Sequence, residues 1–258
     1  MEIWFLSPKW LLNPIIQKKP GWAEQDGNYF WEKLCEAINN LWKNGFSPEQ
    51  IIGIGVTTQR ATMLAVDKNG NPLRPAIVWL DQRKSRCYPP LGAYTLLFKL
   101  LGIHSSIKYF QDKAPINWIY KNEMDVWKNM YKYLSLSGYL NFKLTGEFKD
   151  SVANQVGYLP FDFKRHKWAN GLDWKWKALM LKRYHLPDLV RPSELIGYVT
   201  EKASMDTGLK KNTPVYATAS DKACEVLGCG CMDLDQGCLG YGTTATINVT
   251  SKKIYRAN

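Results

Sequence analysis

Residues 213–250 read TPVYATASDKACEVLGCGCMDLDQGCLGYGTTATINVT. A β-prone apolar run over 215–218 stops at Ala219 and Ser220, and Asp221 follows at once. A stretch compatible with a short helix comes next, then a turn region. Two more β-prone runs, 238–241 and 245–249, flank Gly242, Thr243 and Thr244. Such a turn can cradle a phosphate: glycine lets backbone N–H groups approach an anion, and threonine adds hydroxyl donors. A carboxylate at the end of a strand is where an open α/β sheet places its chemistry. A proton acceptor beside a phosphate cradle suggests phosphoryl transfer to a hydroxyl. A plain hairpin turn at 242–244 and a helix N-cap at Asp221 account for the same residues locally.

The 258 residues suffice for one large domain or two small ones, and 45% hydrophobic residues suffice for a real core. A formal charge of +11 permits an anionic partner. The basic residues are scattered in pairs (Lys18-Lys19, Lys210-Lys211, Lys252-Lys253) rather than striped, and no nucleic-acid-binding signature accompanies them, so a solvated basic surface is the reading. Six cysteines do not make a disulfide scaffold. Cys224, Cys229, Cys231 and Cys238 crowd one window without a C-x-x-C pair, which favours buried thiols in a reducing compartment over zinc. The apolar start lacks a basic leader region and is broken by Pro8 and Pro14, and no run is long enough to span a bilayer, so a cytoplasmic protein is expected. His104, His166 and His185 lie too far apart in sequence to form a metal-binding spacing.

Periodicity predicts a helix over 28–44 ended by Gly45, and Ser47-Pro48-Glu49-Gln50 carries the signature of a capped helical turn. The run IIGIGVT (51–57) reads as a strand covered on both faces. Strands are predicted at 63–66 and 76–80, with a DKNGN turn at 67–71 between them. Further helices are predicted at 94–101, 116–130, 139–144 and 174–184, with strands at 131–136 and 196–199; the remainder of 185–212 reads as loop. Polar clusters after two of these strands, Gln59-Arg60 and Asp81-Gln82-Arg83, could share a crevice, although Arg60 could equally be a surface ion-pair residue.

The collinear segments GWAEQD, IIGIGVTTQRATMLAVDKNGNPLRPAIVWLDQR, YFQDKAPINWIY, TPVYATASDKACEVLGCG and LGYGTTATI together resemble the FGGY carbohydrate kinases from about Pro20 to Thr250. The resemblance implies an actin-like ATPase (ribonuclease-H-like) α/β fold in which ATP, magnesium and a sugar or polyol meet in an interdomain cleft. It makes Asp221 the general base, close to the metal, and Gly242, Thr243 and Thr244 a phosphate loop. Gln59, Arg60 and Trp79 would hold the polyol, with Lys222 and Tyr109 as further candidates. Ala61 stands where glycerol kinases carry a glutamate, so a hydroxyl would lose an acceptor at a cost of about 1–3 kcal/mol, which disfavours glycerol. Ser220 stands where the family has glycine. The start MEIWFLSPKWLL does not resemble the family's Asp-x-Gly-Thr loop. The implied division is a sugar-binding domain over 1–232 lacking its first phosphate-loop hairpin, and a second domain's first hairpin over 233–258. The expectation is a chain inactive alone, with a complementing chain or an oligomer as possible partner. The alternative is a non-catalytic sugar-binding module.

Overall fold

The computed structural model describes residues 15–86, 88–155, 157–241 and 245–251. The chain runs from strand β1 (Glu24–Gln25) into helix α1 (Gly27–Lys43), then β2 (Ile54–Gly55), β3 (Met63–Val66) and β4 (Ala76–Ile77). Helices α2 (Tyr94–Leu100), α3 (His104–Lys113), α4 (Pro115–Asn122) and α5 (Met124–Asn129) follow. Next come β5 (Lys132–Ser135), α6 (Leu136–Thr145), β6 (Lys149–Ser151), β7 (Phe161–Asp162), β8 (Lys167–Trp168) and α7 (Lys175–Ala178). The described chain closes with β9 (Asp188–Val190), β10 (Leu195–Tyr198), α8 (Glu201–Thr207), β11 (Pro214–Tyr216), α9 (Asp221–Gly228), β12 (Gly237–Tyr241) and β13 (Ala245–Val249).

Two sheets carry the architecture. One is antiparallel, in the order β1-β4-β3-β5, and all four residues of its central strand β3 are buried. Alternation along β3 divides the core: Met63 and Ala65 pack with Ile116, Trp118, Ile119 and Tyr133, whereas Leu64 and Val66 pack with Trp31, Leu134, Tyr139 and Val215. The sheet therefore lies between two helical layers. The second sheet has the order β10-β11-β2, with β11 and β2 parallel through Val215↔Ile54 and Tyr216↔Gly55.

Local chemistry explains the boundaries. The Asp26 carboxylate accepts the Asn28 N–H at 3.0 Å and starts α1, which ends at Asn44 before Gly45 with φ +90°. Ser47 and Gln50 form the capping box around the short 3-10 turn Pro48–Gln50. In the 67–71 turn, Asp67 Oδ1 accepts from the backbone of Asn69 and of Asn71 at 2.8 Å each.

Several expectations are corrected. The 51–57 run pairs only over Ile54–Gly55 and is not covered on both faces, since Ile52 is 90% exposed. The run 76–80 leaves the sheet after Ile77 and enters a turn closed by Asp81 N–H donating to Val78 O at 2.9 Å. The 116–130 segment is two helices meeting at Glu123, and within 174–184 only Lys175–Ala178 is α-helical, followed by a 3-10 turn over Arg183–His185. The 185–212 stretch contains helix α8, capped by Thr200 and stopped by Gly208 at φ +73°. The cysteines are mixed rather than uniformly buried: Cys231 and Cys238 are buried, Cys35 and Cys224 half-buried, Cys229 exposed. No helix among the described residues is long and apolar enough to cross a membrane.

Candidate active site

The parallel pair β2–β11 continues past its formal end as a zip of side-chain and backbone bonds. Thr218 Oγ1 donates to Val56 O, Thr57 Oγ1 to Ala219 O at 2.8 Å, and Asp221 N–H to Thr58 O at 3.1 Å. This carries the turn holding Arg60 alongside the start of α9. Arg60 Nε stands 4.0 Å from Asp221 Oδ1, with side chains 42% and 39% exposed. Asp221 is the first helical residue and the capping position falls to Ser220, which corrects the N-cap reading of the sequence. The carboxylate thus sits at a helix N-terminus, where the backbone dipoles favour negative charge.

A cavity of about 660 Å³ opens beside Arg60, lined among others by Arg60, Gln155, His166, Ser220, Lys222 and Asn248; Asp221 is not among its lining residues. Lys222 Nζ is held by Glu225 Oε2 at 2.7 Å. Gln155 is oriented from beneath by Asp150, a fully buried carboxylate that accepts from Gln155 Nε2 at 2.8 Å, Ser135 Oγ at 2.5 Å, Ser137 Oγ at 3.0 Å and Asn154 Nδ2 at 3.0 Å. His166 occupies the β7–β8 turn with φ +52°.

Trp79 is placed elsewhere. It lines a separate cavity of about 60 Å³ with Ala61, Asp81, Lys113, Tyr133, Tyr158 and apolar neighbours. Ala61, at φ +60°, joins the two regions by following Arg60 in sequence. The Trp79 turn is clamped to the GWAEQD segment. Asp81 Oδ2 accepts Ala23 N–H at 2.6 Å, Gln82 N–H donates to Gly21 O at 2.7 Å, and Val78 N–H to Ala23 O at 3.1 Å. Behind the turn, Arg83 Nη2 donates to Asp81 Oδ2 at 2.7 Å and to Glu24 Oε1 at 2.9 Å. Its guanidinium lies over the rings of Trp22 and Trp118, 4.2 and 4.5 Å from their centroids. Arg74 also donates to Glu24. Burial pushes the Glu24 carboxyl up, but the two guanidiniums outweigh it and hold the group below its usual value.

Of the other predicted residues, Gln59 donates from Nε2 to Thr62 Oγ1 at 2.9 Å and lines neither cavity. Tyr109 is 61% exposed, with its ring 6.4 Å from that of Tyr158. Burial and a hydrogen bond with Tyr109 push the Tyr158 phenol up to about 12. The structure thus brings Arg60, Asp221 and Lys222 together, and sets Trp79 and Tyr109 beside Tyr158 in an adjoining region. Gly242, Thr243 and Thr244 lie outside the described residues. Sequence reasoning missed Gln155, His166 and Tyr158; the polar run at 150–155 was the visible signal for the first.

Among the described residues no three His, Cys, Asp or Glu side chains converge on a metal position. The carboxylate beside Arg60, that of Asp221, fits magnesium carried on phosphate oxygens, which commonly takes one or two protein carboxylates.

A mixed α/β body with helices on both faces of its sheet is the fold of the actin-like sugar kinases. The chain superposes on the xylulose kinase of Rhodospirillum rubrum with a TM-score of 0.74 at 22% identity, over 90% of this chain and 48% of that one. It superposes on the gluconate kinase of Lactobacillus acidophilus with a TM-score of 0.72 at 23% identity, over 91% and 47%. The chain belongs to the FGGY family of carbohydrate kinases, whose N-terminal-domain model matches residues 7–228. It is 29% identical over 252 residues to the uncharacterized sugar kinase YgcE of Escherichia coli, covering 95% of this chain and 43% of that protein. It is 26% identical over 233 residues to the xylulose kinase of Staphylococcus xylosus, covering 88% and 46%. The chain therefore spans about half the length of the curated relatives it matches.

Proposed function

We propose that this chain is the sugar-binding, base-bearing part of a kinase that phosphorylates a sugar or polyol hydroxyl from ATP. The observation that carries the reading is the 4.0 Å Arg60–Asp221 approach, with Arg60 and Asp221's neighbours Ser220 and Lys222 lining the large cavity. Asp221 accepts the proton of the attacking hydroxyl, a role contributing about 10²–10⁴-fold. Arg60 and Lys222 donate to substrate oxygens and hold them near that carboxylate; Trp79 offers an apolar face to the carbon skeleton. ATP with magnesium, when bound, supplies the phosphoryl group and offsets its charge. Asp221 is also assigned to the metal, and Gly242, Thr243 and Thr244 to the phosphates. Residues 1–232 form the sugar-binding domain in this reading, and 233–258 begin a second one.

ADP release from the 258-residue chain is to be measured over a panel of pentoses, hexoses, ketoses and polyols, beside calorimetric titration with each compound. Saturable binding of one class, with turnover absent or slow and abolished in Asp221→Asn, supports the reading. A chain that binds none of them, or whose turnover is unaffected in Asp221→Asn, refutes it. Sugar binding with no affinity for ATP–magnesium would instead identify a non-catalytic sugar-binding module.

A further inference from the structure

Strand β6 ends at Ser151, and one 3-10 turn over Val152–Asn154 delivers Gln155 to the wall of the large cavity. The turn is pinned at both ends: Ala153 N–H donates to Ser151 Oγ at 3.2 Å, and Gln155 N–H to Val152 O at 3.4 Å. The Gln155 side chain is held as firmly. Its Nε2 spends one hydrogen on Asp150 Oδ2 at 2.8 Å and the other on the Ser151 carbonyl at 3.0 Å. A carbonyl has no hydrogen to give, so the amide can be turned only one way.

That orientation frees the other end of the amide. Gln155 is 2% exposed, yet its Oε1 accepts from no described group. Asn141 Oδ1 and Asn154 Oδ1, around the same Asp150 hub, are sealed in without partners; Gln155 Oε1 is not sealed and is left to the cavity that the residue lines. Arg60 and Lys222 on the same wall can only donate. Gly157, two residues on, runs beside the Arg60 turn, since a Cβ built on it would stand 3.6 Å from Ala61 Cβ.

We propose that Gln155 is a specificity-determining residue of the sugar site, its carbonyl accepting the hydrogen of one substrate hydroxyl while Asp150 keeps the amide turned to accept. The assignment rests on the kinase reading of the cavity. A hydroxyl suits a wall of this make-up because it accepts from a cation and donates to a carbonyl at once. A carboxylate or phosphate oxygen has no hydrogen for Gln155. A substrate lacking the hydroxyl leaves a fixed acceptor unpaired in a dry wall, and such sites reject the analogue that lacks the donor.

Calorimetry is to compare the tightest-binding member of the pentose, hexose, ketose and polyol panel with its monodeoxyfluoro analogues at each carbon. Fluorine stands in for the hydroxyl but has no hydrogen to give. In the native chain, replacing one hydroxyl should weaken binding about tenfold, and in Gln155→Met that ratio should fall to within about twofold. Gln155→Met also takes a donor from Asp150, so Gln155→Lys is tested beside it: its ammonium still donates to Asp150 but offers no acceptor, and the same fall is expected. A purely structural role would weaken parent and analogues alike and leave the ratio unchanged. An unchanged ratio in either folded variant overturns the assignment and leaves the kinase reading standing. A native chain that binds no member of the panel overturns both.

Discussion

Arg60 Nε and Asp221 Oδ1 face each other at 4.0 Å beside a bond between Thr57 and Ala219 that spans 162 residues of sequence. Both side chains are more than a third exposed, so the pair contributes at most about 1 kcal/mol to stability. Its significance is positional: a guanidinium that lines the large cavity and a carboxylate are held side by side at the ends of two parallel strands.

Asp221→Asn should therefore leave the thermal midpoint nearly unchanged, a stability difference within about 1 kcal/mol, while lowering sugar phosphorylation by about 10²–10⁴-fold. Calorimetry with the sugar should show less than about a tenfold change in affinity, because in the proposed role a base acts on the transition state more than on the ground state. Equal losses of binding and turnover would reassign the residue to substrate holding.

Trp79 is 41% exposed at the edge of its small cavity, so Trp79→Ala creates little void. The expected outcome is a roughly tenfold weaker sugar affinity, about 1–2 kcal/mol, with little change in urea midpoint. A stability loss of several kcal/mol would mean that the ring serves packing.

The support behind Trp79 should respond in the opposite way. Arg83→Ala leaves the Glu24 and Asp81 carboxylates buried with a guanidinium removed, and should cost about 3–5 kcal/mol in urea unfolding. Glu24 is held below its usual value, so its share of stability is present above the unfolded carboxylate range and is lost as pH falls through the folded value. Glu24→Gln should flatten that acid limb.

His185 supplies a second pH signature. Burial first, then Lys182 and Lys132, push its imidazole down to about 4 from an ordinary value of 6.5, and its Nδ1 accepts the Lys182 N–H at 3.3 Å. The folded protein keeps the ring neutral where the unfolded chain protonates it. Stability is complete above about pH 6.5 and declines as pH falls toward 4, by about 2–3 kcal/mol in all. Subtracting the urea-unfolding profile of His185→Gln from that of the native chain should isolate this slope; identical profiles between pH 6.5 and 4 would refute it.

Elements with strong local chemistry were readable from the residues. Helix α1 has an apolar face and an Asp26 cap, β3 an unbroken apolar run, and the Ser47 turn its reciprocal cap. Elements decided by tertiary partners were not. EKASMDT, polar and seven residues long, becomes α8 because Trp31 and Trp42 of α1 donate to Asp206 and the Thr207 carbonyl. The 76–80 run stops as a strand at Ile77 because Asp81 turns back to hold the backbone of Ala23, a contact no local window contains. In the site, Asp221 and Arg60 were marked by their places just after β-prone runs, and Lys222 came from motif resemblance. Gln155 needed the buried Asp150 hub to become visible, and the 4.0 Å approach depends on a strand pairing that periodicity cannot see.

That pairing also orders events in time. Ile54–Gly55 emerges from the ribosome early, but its parallel neighbour Pro214–Tyr216 is made about 160 residues afterwards. At roughly 5–20 residues per second, the first half of the cleft waits on the order of ten seconds or more for the second. Closing so long a loop is an entropic cost that only the finished strand repays, so a nascent chain can hold a folded β3 layer well before it can grip a ligand.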